Sequence, residues 1–246
     1  MPNHLGPRPT PAGVFHTTRW SLVLAARENN GPQSEEALEQ LCRTYSPALY
    51  AYLRRAGHGR EDAQDLTQDF LSQLVQKDWL DRLQDQRGRF RSFLLTFLKH
   101  FLMDERRKNH TLKRGGGTHL ISLEDCEAWE KESLVMDGLT PEQMFDRRWA
   151  QTMMARALDE LRGWYAKQGQ LVLFEQLRDL QPGEHGPSSH AEIAAGLGLD
   201  AAALNVAARR FRQRYGDYLR REVAQTVVDP QEVQAELRQL VEAFAR

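Results

Sequence analysis

Three carboxylates, Asp62, Asp65 and Asp69, recur at intervals of three and four in a segment whose apolar residues Ala63, Leu66, Phe70 and Leu74 keep a similar spacing. On a helix of 3.6 residues per turn the two sets fall on different sides. Carboxylates fixed along one face can pair with basic groups of a partner, which steers association and sets register more than it adds affinity. Two other segments carry the opposite charge. From Gln86 to Arg114, nine basic residues (Arg87, Arg89, Arg91, Lys99, Arg106, Arg107, Lys108, Lys113 and Arg114) meet only Asp104 and Glu105, a net charge of +7. From Asn205 to Arg221, six arginines meet only Asp217, a net charge of +5. Stretches of this kind suit a polyanion such as nucleic acid.

The formal net charge of the whole chain is only -1. That value is a cancellation, because Glu61–Asp85 holds seven acids against two bases and Ser122–Asp146 holds eight acids against Lys131. Hydrophobic residues at 41% and charged residues at 27% suit a folded globular chain and exclude a disordered one. No catalytic constellation is visible: the eight histidines are scattered, and no glycine-rich loop follows a strand. Cys42 and Cys126 have no metal-ligand spacing, so neither a disulfide framework nor a zinc site is expected. The expectation is a protein that is not an enzyme and needs no metal or cofactor. With no apolar leader and no run of about 18 apolar residues, it is expected in the cytoplasm and not in a membrane.

The elements that must position these charges read as helices throughout; no alternating strand pattern of useful length occurs. Residues 1–14, rich in proline and glycine, are expected to be a disordered leader. Thr18 to Arg27 reads as a helix ended by Gly31-Pro32, and Ser34 onward as a second with Leu38, Leu41, Tyr45, Leu49 and Leu53 as its stripe. Asp62 to Trp79 and Phe90 to Lys108 follow, the latter with Phe90, Phe93 or Leu94, Phe97 and Phe101 at helical spacing. Residues 15–110 are thus expected to form one helical domain, and 111–139, with Gly115-Gly116-Gly117 and many acids, a polar linker.

A second domain is expected over 140–223. Thr140-Pro141-Glu142 suits a helix start, with Thr140 as cap and Pro141 at the first helical position. That helix is expected to reach about Tyr165, with another from about Gln168 to Leu180. Ser189-His-Ala-Glu192 reads as a capping box, Gly196-Leu-Gly198-Leu-Asp200 as a turn with Asp200 capping, and Ala201 to Val223 as the next helix. Helix, glycine turn and helix is the helix-turn-helix arrangement. Residues 224–246 read as a helical extension, opened by a capping box at Asp229-Pro230-Gln-Glu232 and buried through Val233, Leu237, Leu240, Val241 and Phe244.

Asp62-Ala-Gln-Asp-Leu-Thr-Gln-Asp-Phe70 resembles the acidic signature of region two of bacterial sigma factors. Phe90-Arg-Ser-Phe-Leu-Leu-Thr-Phe-Leu-Lys-His-Phe-Leu-Met-Asp-Glu-Arg-Arg107 is similar to the pattern that follows it, and the C-terminal helix-turn-helix to sigma region four. The chain therefore resembles an extracytoplasmic-function (ECF) type RNA polymerase sigma factor, over about residues 36–110 and 141–222. His100 stands where the family commonly has asparagine, Phe93 where tryptophan is common, and the loop from Gln181 to Ser188 is longer than usual. Thr17–Ser21 and Ala224–Val227 lie outside the minimal family and resemble the flanks of a longer subgroup with N- and C-terminal extensions.

What the resemblance implies is an all-α protein of two helical domains, a region-two bundle and a region-four helix-turn-helix, joined by the linker. Asp62, Asp65 and Asp69 would dock on the beta-prime clamp coiled coil of core RNA polymerase, with the beta flap as a further contact. Arg87, Arg89, Arg91, Lys99, Arg106, Arg107 and Lys108 would hold promoter DNA during melting, with a base-capture loop near Gln84 to Gly88. In the recognition helix, Leu204, Ala208 and Phe211 face inward, which leaves Ala202, Asn205, Val206 and Arg209 toward bases and Arg210, Arg212 and Arg214 toward phosphates. An anti-sigma factor is a further partner the resemblance allows. A stand-alone helix-turn-helix regulator that does not bind polymerase accounts for the C-terminal domain, but leaves the acidic face and the first basic segment without a purpose.

Overall fold

The computed structural model describes residues 32–75, 89–109, 138–178, 180 and 190–245. Among them are eight α-helices and no strand, as the periodicity predicts; an isolated bridge pairs Arg89 with Val227. Helix α1 spans Pro32–Arg55, α2 Arg60–Val75 and α3 Phe90–Asn109. Then come α4 (Pro141–Lys167), α5 (Leu171–Arg178), α6 (His190–Gly196), α7 (Ala201–Ala224) and α8 (Val233–Ala245), the last preceded by a 3-10 turn at Pro230–Glu232. The expected leader, the helix over Thr18 to Arg27, most of the linker, the loop before α6 and the Ser189 cap lie outside the described residues.

The caps explain several boundaries. Thr140 accepts from the Gln143 amide at 3.2 Å while the Gln143 side chain accepts from the Thr140 amide at 2.8 Å, so both backbone donors are satisfied, and Pro141 follows as the first helical residue. Asp200 accepts from the Ala203 amide at 2.6 Å and so starts α7. Between α6 and α7, Gly198 has φ +65°, and the amides of Leu199 and Gly198 reach back to the carbonyls of Ala194 and Ala195. This left-handed helix stop is what glycine permits without a Cβ penalty, and it sets the turn between α6 and α7.

Two cores hold the helices. In the first, Tyr45, Phe70, Phe90, Phe93 and Phe101 interlock, with Phe70 5.3 Å from Phe97 and Tyr45 edge-on to Phe90 at 5.0 Å. The second gathers Leu161, Tyr165, Phe174, Ile193, Leu204, Ala208 and Phe211. Each large apolar side chain buried this way contributes roughly 1.5–3 kcal/mol on area bookkeeping. The cores are not consecutive in sequence. Helix α4 gives Phe145, Trp149 and Met153 to the first and Leu161 and Tyr165 to the second; α7 gives Phe211 to the second and Val223 to the first. Val227, Val233, Leu240 and Ala243 of the C-terminal extension complete the first core. The expected linker therefore separates segments in sequence without separating the packing units.

The extension differs from expectation in two ways. Asp229 caps a 3-10 turn by accepting from the Gln231 amide at 2.8 Å, and α8 proper begins three residues later. Its buried side is Val233, Glu236, Leu240 and Ala243, whereas Val241 is 66% and Phe244 38% exposed. The helix is rotated because a carboxylate at position 236 finds buried cations, which outweighs burial of Val241.

Candidate functional site

On α2, Ala63, Thr67, Phe70, Leu71 and Leu74 are buried, and the Thr67 hydroxyl bonds back to the Ala63 carbonyl at 2.6 Å. The opposite side carries Asp62, Asp65 and Asp69, all exposed. A helix anchored on one face by aromatic packing holds its other face fixed, so the three carboxylates form a row of defined spacing along about two turns. Glu61 and Asp62 also stand in the first turn, where negative charge complements the helix dipole.

The first basic segment is split by the fold. Arg87 lies outside the described residues, as does the expected base-capture loop; Lys108 belongs to α3 without a described side chain. Arg106 and Arg107 are exposed at the far end of α3, with Arg107 3.7 Å from Asp104 one turn back. Lys99 is half exposed and meets Glu142 of α4 at 2.9 Å. That hydrogen bond raises the Lys99 ammonium and holds the Glu142 carboxyl below its usual range.

Arg89 and Arg91 point the other way. Arg91 is 7% exposed and sits 5.2 Å from the Trp149 ring centroid. Its guanidinium contacts Asp146, and donates through Nε to Glu236 Oε2 at 3.2 Å and through Nη2 to Oε1 at 3.3 Å. Arg89 Nε reaches the same Oε1 at 3.1 Å. Burial alone would lower the Arg91 guanidinium, but the Glu236 and Asp146 carboxylates prevail and its pKa is raised. Arg91 does not face solvent in this arrangement: two carboxylates distant in sequence enclose it.

The second basic segment is open. In α7, Leu204, Ala208 and Phe211 are buried as expected, while Ala202, Asn205, Val206, Arg209, Arg210 and Arg212 are exposed. Arg214 is the exception, lying 3.6 Å over the ring of Trp164 in α4. Such stacking holds a guanidinium in place while leaving its edge available. Arg156 Nε joins Glu222 at 2.8 Å and fixes the C-terminal part of α7 against α4.

Glu236, Asp146 and Trp149 escaped sequence reasoning. The signal for Glu236 was present: it lies three residues after Val233 and four before Leu240, on the seam both define. No group of three or more His, Cys, Asp or Glu among the described residues is arranged to hold a metal ion. Nor is any helix of the described residues long and apolar enough to cross a membrane.

Residues 41–111 match the family model described as sigma-70 region 2. No curated protein and no solved structure matches the chain. The matched stretch runs from α1 through α3 and contains the acidic row and the first basic segment as far as Lys108, leaving out Lys113 and Arg114. Over these residues, less than a third of its length, the chain is similar to region 2 of sigma-70 factors.

Proposed function

We propose that this chain is a cytoplasmic sigma factor of the extracytoplasmic-function type, from a longer subgroup with terminal extensions. Asp62, Asp65 and Asp69 dock on the beta-prime clamp coiled coil of core RNA polymerase. Helix α7 enters the major groove of a promoter element, with Ala202, Asn205, Val206 and Arg209 toward base edges and Arg210, Arg212 and Arg214 on phosphates. The +7 segment, through Arg87, Arg89, Arg91, Lys99, Arg106, Arg107 and Lys108, holds the template near the point of melting. The beta flap is the second polymerase contact, and an anti-sigma factor is the regulatory partner such a chain would meet.

The observation that carries this reading is the acidic row of α2: exposed carboxylates on a helix whose reverse side is locked in the first core, inside the sigma-70 region 2 match. A helix-turn-helix regulator working without polymerase needs no such row. The deciding experiment is co-purification with core RNA polymerase of the wild type and of Asp62→Lys/Asp65→Lys/Asp69→Lys. The expected outcome is loss of capture by the triple variant with unchanged far-ultraviolet circular dichroism. Equal capture of both, or failure of the wild type to associate, rejects the reading.

A further inference from the structure

The Arg89, Arg91 and Glu236 cluster is built like an occupied phosphate site. Glu236 is fully buried, although its neighbours on the seam of α8, Val233, Leu240 and Ala243, are apolar. Its two carboxylate oxygens take three guanidinium contacts at 3.1–3.3 Å from two arginines. Carboxylate and phosphate oxygens are interchangeable partners for such a fork. Stability alone does not call for the arrangement, since well-packed apolar residues serve a seam as well as or better than a buried ion pair.

The same segment also covers the arginines from the backbone side. The Phe90 amide donates to the Thr226 carbonyl at 3.0 Å, and Arg89 pairs with Val227. The strap that precedes α8 and the carboxylate on α8 thus close over one spot, the start of α3. Farther along α3, Arg106 and Arg107 remain exposed, so the covered pair belongs to a basic helix whose other end is open.

We propose that Glu236 is an internal phosphate mimic: the C-terminal extension latches shut an anion site formed by Arg89 and Arg91, and a nucleic-acid phosphate must displace Glu236 to gain it. The inference rests on the reading of α3 as a template-binding helix, and adds that its N-terminal end is self-inhibited. In the closed form Asp146 keeps Arg91 oriented, and Trp149 supports the guanidinium from below. Opening transfers both arginines from a carboxylate to a polyanion and releases Glu236 to water.

The test uses the full chain and a fluorescein-labelled DNA duplex of about two helical turns, without polymerase, by anisotropy across a salt series. Glu236→Gln keeps the side-chain shape and removes the charge. It is expected to bind about tenfold more tightly, with a log-log salt slope steeper by up to about 1.8, the contribution of two phosphate contacts. Adding Arg89→Met and Arg91→Met to that variant is expected to abolish the gain. A folded Glu236→Gln protein with wild-type affinity and slope overturns the latch. Should the substitution prevent folding, hydrogen exchange of the wild type decides. Amides of 233–245 are expected to exchange faster once DNA is bound, and unchanged or slower exchange overturns the proposal. DNA binding by neither protein overturns the latch together with the template reading, whereas failure of the polymerase test alone leaves the latch standing.

Discussion

The two basic segments have similar composition and opposite fates. In α7 the arginines at 209, 210 and 212 stand out from a helix held by Leu204, Ala208 and Phe211. In α3 the arginines at 89 and 91 turn inward to carboxylates that lie 55 and 145 residues away from Arg91 in the chain. Local charge density fixes the sign of a surface. It does not fix whether that surface faces solvent, because the competing anions arrive from other elements.

The contrast is broken most forcefully at Arg91. Arg91→Met leaves Glu236 buried with only part of its compensation, and removal of one partner of a buried pair typically costs about 3–5 kcal/mol. Urea unfolding is expected to show that loss, while Arg209→Ala shifts stability by less than about 0.5 kcal/mol. Equal, small effects at both positions would mean that the two arginines are alike after all.

The next effect is on DNA. Arg210→Ala combined with Arg212→Ala removes two exposed, phosphate-facing cations from α7, so the salt slope of duplex binding is expected to flatten by about 1.8. Arg91→Met alone is expected to flatten it by less, because Arg91 reaches a phosphate only in the fraction of molecules whose Glu236 has been displaced. Binding isotherms at several salt concentrations check both outcomes.

Gly198→Ala offers a sharper view of how α7 is presented. The turn has room for a methyl group, so the cost is confined to the left-handed backbone, about 1–2 kcal/mol. Thermal unfolding is expected to show that shift, together with weaker DNA binding as the turn loses its geometry.

The smallest expected effect is at the surface pair between α3 and α4. Glu142 is held below its usual range, so its contribution is present above the ordinary carboxylate pKa and disappears as pH falls through the lowered value. Lys99 is raised, so its contribution is present below the ordinary lysine pKa and disappears as pH climbs through the higher value. Both groups are substantially exposed, and the pair is worth at most about 1 kcal/mol. Lys99→Met is expected to remove that contribution from the plateau between the two limits in urea titrations.

Much of the architecture was legible because it depends on local rules. Thr140-Pro141, Asp200 and Gly198 mark boundaries through their own backbone preferences, and the stripe from Phe90 to Phe101 needs only helical spacing to reach the core. Exposure of Asp62, Asp65 and Asp69 followed from the same spacing. The orientation of Arg91 did not, since it depends on Asp146 and Glu236 approaching from two other helices. The seam of α8 was misread for the same reason: Val241 and Phe244 are better apolar residues than Glu236, and only a buried cation reverses the preference. The sharing of α4 and α7 between cores was equally hidden, because periodicity identifies a buried side without saying what covers it.

That sharing has a mechanical consequence. Trp149 and Trp164 belong to one unbroken helix, and a stretch of fifteen residues makes a rod of about 22 Å. A pivot of about 10° at the Trp149 end would carry the Trp164 end sideways by about 4 Å at that rod length. Arg214 rides on Trp164. The stiff shaft thus gears the arginine-bearing face of α7 to the socket where Arg91 is seated.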